Sequence, residues 1–241
     1  MSRHISEKYD EELAAVQESL MEMGGLVEQQ LKDGCRALIT HNRELANTVR
    51  EVEQRVNQLE VGLDDQCVSI IALRQPTARD LRVMMSIMKA VTDLERIGDE
   101  ADRIAKMALH VADLPIPDNQ YADFHNIQTD LTPMLSGALD AFARRDTKLA
   151  LSVIDDDEKV DEGYAALVRK NITEMRENPE DVEHAMNLIW AARALERIGD
   201  HAKNICEYVI YQVKGEDVRH RSAGQETVSY THLTLPTIYS V

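Results

Sequence analysis

The feature that most constrains what this 241-residue chain can fold into is an internal repeat. Leu94-Glu95-Arg96-Ile97-Gly98-Asp99 returns 101 positions later as Leu195-Glu196-Arg197-Ile198-Gly199-Asp200, and Ile104 and Ile205 follow at matched places. An identity of that length at a fixed offset marks two copies of one supersecondary unit. The offset extends backward to Thr77 and Asn178, each with an acid three residues on, Asp80 and Asp181. That spacing is the pattern of a helix N-cap with its reciprocal capping acid. Further upstream Leu45-Ala46 pairs with Leu149-Ala150, and Glu53-x-x-Val56-Asn57 with Asp157-x-x-Val160-Asp161, now 104 apart. A small length difference between the second and third elements of each copy accounts for the change.

The repeated unit is helical. Aromatics are only 4% of the chain and Gly and Pro number 10 and 6, leaving a mixture rich in Leu, Ala, Glu, Met and Arg that favours helix over strand. Apolar residues recur at three- and four-residue spacing, which predicts helices near 7–40, 44–73, 78–111, 119–144, 147–177 and 179–214. Pro76 before one cap and Pro179 after the other suit helix beginnings. Pro115 and Pro117 break the chain between the halves, Pro133 either kinks the fourth helix or marks its start, and Gly24-Gly25 is a candidate bend in the first. The expected fold is all-α: two pseudo-symmetric antiparallel three-helix bundles, residues 4–113 and 119–215. The Thr-, Ser- and Tyr-rich run at the end, within 222–241, lacks the helical period and reads as a disordered or non-native tail.

Charge and cysteine usage exclude several functions. A net charge of −16 repels nucleic acid and anionic lipid, so direct nucleic-acid binding is not expected. Cys35, Cys67 and Cys206 are odd in number and lack metal-ligand spacing, which fits a reducing, cytoplasmic setting. The longest apolar run, Val83 to Val91, is cut by Lys89, and Met1 to Asp10 has no signal-peptide core, so no membrane span is expected.

The chemistry-bearing residues lie in acidic rows. At 100° per residue, Leu94, Ile97, Ala101, Ile104 and Ala108 share one stripe of the third helix, and Glu95, Asp99, Asp102 and Lys106 fall on the far side. The sixth helix repeats this with Glu196, Asp200, Lys203 and Glu207. Glu53, Asn57, Glu60 and Asp64 form a row on the second helix, matched in part by Asp157 and Asp161 on the fifth. Like charges at i, i+4 cost a helix about 0.2–0.5 kcal/mol per pair, and a bound cation would relieve them. Hard oxygen donors without an E-x-x-H pair suit iron, manganese, magnesium or calcium better than a closed zinc site. The competing reading is a solvated face with local ion pairs: Arg96 and Arg103 for Asp99, Arg197 and Lys203 for Asp200, Arg193 for Glu196. Both readings stay open on spacing alone. Gly98 and Gly199, inside helices where glycine costs about 1 kcal/mol, are expected to allow close helix packing or room beside the acids. Trp190 and Met84, Met85 and Met88 lie at core spacing.

The doubled motif, together with Arg74-Gln75-Pro76-Thr77-Ala78-Arg79-Asp80-Leu81-Arg82, Met23-Gly24-Gly25-Leu26-Val27-Glu28-Gln29-Gln30-Leu31 and Tyr211-Gln212-Val213-Lys214-Gly215, strongly resembles the PhoU family, accessory regulators of phosphate uptake. The resemblance spans roughly residues 4–220. It implies a non-enzymatic negative regulator of the phosphate-starvation response and modulator of phosphate import, an adaptor between the phosphate ABC importer's ATPase subunit and the phosphate-sensing histidine kinase. A homodimer, peripheral at the inner face of the plasma membrane through its partners, is implied as well. Some members carry iron or other metals on E(D)-x-x-x-D motifs. Here those fall at Glu95 and Asp99 and at Glu196 and Asp200, with Asp102 and Asn204 downstream and Glu53, Asn57, Asp157 and Asp161 opposing. Asn57 departs from a carboxylate. No organic cofactor is expected. The alternative from another class is a carboxylate-bridged metalloenzyme or a metal-storage bundle. Against the former, the chain offers only Asp181-x-x-His184, and Asp181 reads as a capping residue.

Overall fold

Each stretch with the 3.6-residue apolar period forms a long helix, and short polar segments end it. The computed structural model describes residues 2–114 and 121–218. The helices are α1 (Ser2–Ile39), α2 (Arg43–Arg74), α3 (Ala78–Val111), α4 (Ala122–Arg144), α5 (Thr147–Glu177) and α6 (Val182–Lys214), and no strand is present among the described residues. The expected all-α, six-helix fold is what forms. The expected linker prolines, residue 119 and the tail 222–241 lie outside the described residues.

The turns repeat as the helices do. His41 (φ 50) and Arg145 (φ 54) take left-handed backbone, which turns the chain after α1 and α4. Asn42 and Asp146 then cap the next helix. Asn42 accepts from Leu45 N at 2.9 Å, and Asp146 from Lys148 N and Leu149 N at 2.9 and 3.1 Å. These are the side-chain caps, and the expected pair at Thr77 and Asn178 is not. Thr77 occupies the N-cap position of α3 without a side-chain hydrogen bond. Pro179–Asp181 forms a 3-10 turn, so α6 begins at Val182 with Asp181 before it, three residues later than expected. Pro133 lies inside α4 and is exposed.

Helices α1, α2 and α3 pack on one another, as do α4, α5 and α6. The most extensive contact of all joins the halves through α3 and α6, with α1 against α4 beside it. Among the described residues α2 touches only α1 and α3, so α2 and α5 are outer helices. One buried core runs through both halves, from Val16, Leu20 and Met23 through Ile97 and Ile104 to Leu135, Leu195 and Ile205. Gly24 marks a close approach: a Cβ there would stand 2.8 Å from Leu139 Cδ2, so α1 and α4 meet where a larger residue would wedge them apart.

Candidate functional site

The two acidic rows fall where the outer helix of each half meets α3 or α6. In the first half Glu53 reaches from α2 across Gly98, where an added Cβ would lie 2.8 Å from its Oε2 and 3.3 Å from Gln30 Oε1. Gln30 Nε2 donates to Glu53 Oε2 at 2.9 Å and, at 3.3 Å, to the Val49 carbonyl. Glu53 is only 8% exposed, and its Oε1 has no hydrogen-bond partner among the described residues. Burial pushes its carboxyl up to about 7, against the Gln30 hydrogen bond, and the nearby Asp99, Asp102 and Glu95 push in the same direction. Glu95 is raised by burial and then by Asp99 and Glu60.

The second half repeats the arrangement with one substituted partner. Asp157 reaches from α5 toward Gly199, at 3.3 Å from an added Cβ, and is 3% exposed. Lys203 Nζ donates to its Oδ2 at 2.6 Å, an ammonium where the first half has an amide. Around it Asp161, Glu196 and Asp200 each have a raised pKa, first from burial and then from one another and Asp157. Glu196 Oε1 accepts from Arg193 at 2.7 Å, while its buried Oε2 has no partner among the described residues. Gly98 and Gly199 therefore let a carboxylate of the outer helix lie against the backbone of the inner one.

Several residues stand elsewhere than the helical period alone implied. Asp102 is buried, held by Arg50 Nε at 3.2 Å and by Lys106. Asp99, Asp200, Asn57 and Asp161, by contrast, are exposed, as the helical period implied. Arg197 does not pair with Asp200; it crosses to Glu100 on α3, as does Arg103 from α3 itself. Asn204 is turned from the acidic row, its Nδ2 donating to Asp93 Oδ1 at 3.2 Å. Trp190 and Met85 are exposed rather than core, whereas Met84 is buried.

Sequence reasoning missed the polar seam between α3 and α6. Asp93 is buried and accepts from His201 Nδ1 at 2.7 Å, Tyr208 Oη at 2.7 Å and Asn204. One helical turn from His201, Arg197 of α6 pairs with the buried Glu100 of α3, a second polar contact that joins the halves. The signal was present as Asp93-Ile97-Glu100-Ile104 facing Arg197-His201-Asn204-Tyr208, both at i, i+4, i+7, i+11.

In donor chemistry these residues fit a hard divalent cation: carboxylate oxygens that raise one another's pKa, two of them buried without a partner. As the side chains stand, no three His, Cys, Asp or Glu residues among those described converge as a metal site. Lys203, Arg50, Lys106 and Gln30 already hold the central acids.

The family pattern described as "PhoU domain" matches residues 20–108 and 129–209, one copy in each half. The "Phosphate-specific transport system accessory protein PhoU homolog" of Pseudomonas aeruginosa is 47% identical over 220 residues, covering 91% of each chain. The PhoU of Escherichia coli (strain K12) is 42% identical over 224 residues, again 91% of each. The crystal structure of PhoU from Pseudomonas aeruginosa superposes with a TM-score of 0.84 at 46% identity, covering 86% of this chain and 100% of that one. The phosphate transport system regulatory protein PhoU from Streptococcus pneumoniae gives 0.81 at 30%, covering 87% and 99%. With its doubled unit, its glycine-seated acids and this match along nearly the whole described chain, the protein belongs to the PhoU family.

Proposed function

We propose that this chain is an accessory protein of phosphate-specific transport that represses the phosphate-starvation response when phosphate is ample. It acts as an adaptor between the ATPase subunit of the phosphate ABC importer and the phosphate-sensing histidine kinase, and it works as a cytoplasmic homodimer. The observation that carries this reading is likeness to accessory and regulatory proteins of phosphate transport along both halves. The geometry is consistent with docking: long helices around one core offer extended outer faces on α2 and α5, and no helix among the described residues is long and apolar enough to cross a membrane. Crosslinking in phosphate-replete cells followed by purification of the chain tests the reading. Recovery of the importer's ATPase subunit and of the kinase is expected, and recovery of neither would overturn it.

The acidic rows add a metal-dependent element to the same proposal. Asp157, Asp161, Glu196 and Asp200 in the second half, and Glu53, Glu95, Asp99 and Asp102 in the first, would hold iron, manganese, magnesium or another divalent cation. Such an ion would offset the burial and mutual repulsion that raise the pKa values of Glu53, Glu95, Asp161, Glu196 and Asp200, in exchange for displacing Lys203 from Asp157.

A further inference from the structure

On this strongly acidic chain, exposed apolar side chains and half-exposed cations stand together where α6 flanks the C-terminal part of α3. Val182, Met186 and Trp190 recur every fourth residue on α6, and all three are exposed, Trp190 at 52%. That spacing stacks them along one helix face. Trp190, the single tryptophan of the chain, borders a surface cavity of about 430 Å³ whose other walls are Met107, Asn187, Arg103, Lys106 and His110. Burial would serve a large aromatic in an ordinary core position, and here it is left on the surface.

The cations beside it are anchored from below. Arg103 pairs with Glu100 at 3.0 Å and Lys106 with Asp102, and Asp102 also accepts from Arg50. The two carboxylates are buried while Arg103 and Lys106 are nearly half exposed. The acids fix the cations in place, and both cationic side chains stay nearly half open to solvent along the cavity wall. A tryptophan and an arginine beside a concavity are the residue types that dominate interface hot spots, and Lys106 adds positive charge at the rim.

We propose that this face is a docking site for an acidic segment of a partner protein, with Trp190 and Met107 receiving an apolar side chain and Arg103 and Lys106 receiving flanking carboxylates. The proposal rests on the adaptor reading above and names a surface for it. Charge decides the partner's chemistry. With a net charge of −16 the chain repels acidic partners at long range, so such a segment is held only where cations and an apolar wall coincide. A basic segment would instead be drawn to the acidic rows of α2 and α5.

The test uses the full chain in a bacterium lacking its own PhoU relative, with a reporter of phosphate-starvation genes in rich phosphate. Trp190→Asp and Lys106→Ser change exposed side chains, and thermal melts check that both variants stay folded. Each is expected to weaken repression about tenfold, the loss of one hot-spot contact, while Lys106→Arg preserves it. In parallel a photo-crosslinking residue at position 190 captures what sits there. The expected product is a peptide of another protein rich in Asp and Glu, with a yield that falls in Lys106→Ser and at high salt. Variants that repress as well as the unmodified chain would overturn the proposal, as would capture of a basic peptide, of a second copy, or of nothing above a control at Leu151. If the unmodified chain itself fails to repress, the adaptor reading falls, and the crosslinked product still decides the docking surface.

Discussion

Glu53→Gln should stabilise the protein in mildly alkaline solution and do little in acid. Glu53 is buried against Gly98, accepts one hydrogen bond from Gln30 and has an Oε1 with no partner among the described residues, and its carboxyl is pushed from 4.5 up to about 7. A carboxyl with a raised folded-state pKa binds its proton more tightly in the fold. Its favourable contribution is therefore complete below the unfolded value of 4.5 and is lost as pH rises through about 7. At about 1.4 kcal/mol per pKa unit the loss is at most about 3.5 kcal/mol, and solvent screening at the open acidic face reduces it to about 1–2 kcal/mol. Gln keeps an acceptor for Gln30 and removes the charge. Thermal melts in metal-free buffer should then place Glu53→Gln about 3–6 °C above the unmodified protein at pH 8, and level with it near pH 4.5. A destabilised variant at pH 8 would show that the ionised carboxylate is stabilised in the fold, and the same offset at both pH values would show that the effect does not follow the titration of Glu53; either result would refute the reasoning.

Three other outcomes follow from the same geometry. Asp200→Asn should leave the melting temperature within about 1 kcal/mol of stability, since Asp200 has no ion-pair partner among the described residues, yet lower metal content measured by elemental analysis; unchanged content would leave the acids as an ordinary solvated face. Gly98→Ala should destabilise by about 1–2 kcal/mol in denaturant unfolding, because the new Cβ displaces Glu53 from Gln30 by more than helix propensity returns, whereas Gly199→Ala, with contacts of 3.3 Å and beyond, should fall within about 0.5 kcal/mol of neutral; equal effects at both sites would contradict this. His184 is buried with neither ring nitrogen hydrogen-bonded among the described residues, and burial, then His41, lowers its pKa below 6.5. The unfolded chain takes up that proton more readily, so stability should fall as pH drops below 6.5, and His184→Phe should flatten that part of the stability curve; an unchanged slope would show that His184 is not the group responsible.

The repeat made the architecture legible, because a unit written twice fixes both the number of helices and their correspondence. Boundaries were less accessible where turn chemistry competes. Thr77 with Asp80 has the letters of a capping box without the hydrogen bond, while Asn42 and Asp146, at the other offset of the repeat, do the capping. The acidic rows were identified by spacing, but their depth was not. A helical period separates apolar from polar faces, and α3 meets α1, α2 and α6, so Asp102 and Asp93 lie on polar positions that neighbours cover. The helical period likewise grouped Trp190 with the core, although no helix among the described residues covers that flank of α6. Which carboxylate an arginine spaced for Asp200 would choose was equally hidden, since Arg197 finds a deeper partner in Glu100 across the seam between the halves.

The most direct test of the account is the expression of phosphate-starvation genes in rich phosphate after deletion of this protein in its own cell. The account predicts that these genes are switched on constitutively and that the full chain supplied from a plasmid switches them off again. Normal repression in the deletion strain would contradict it.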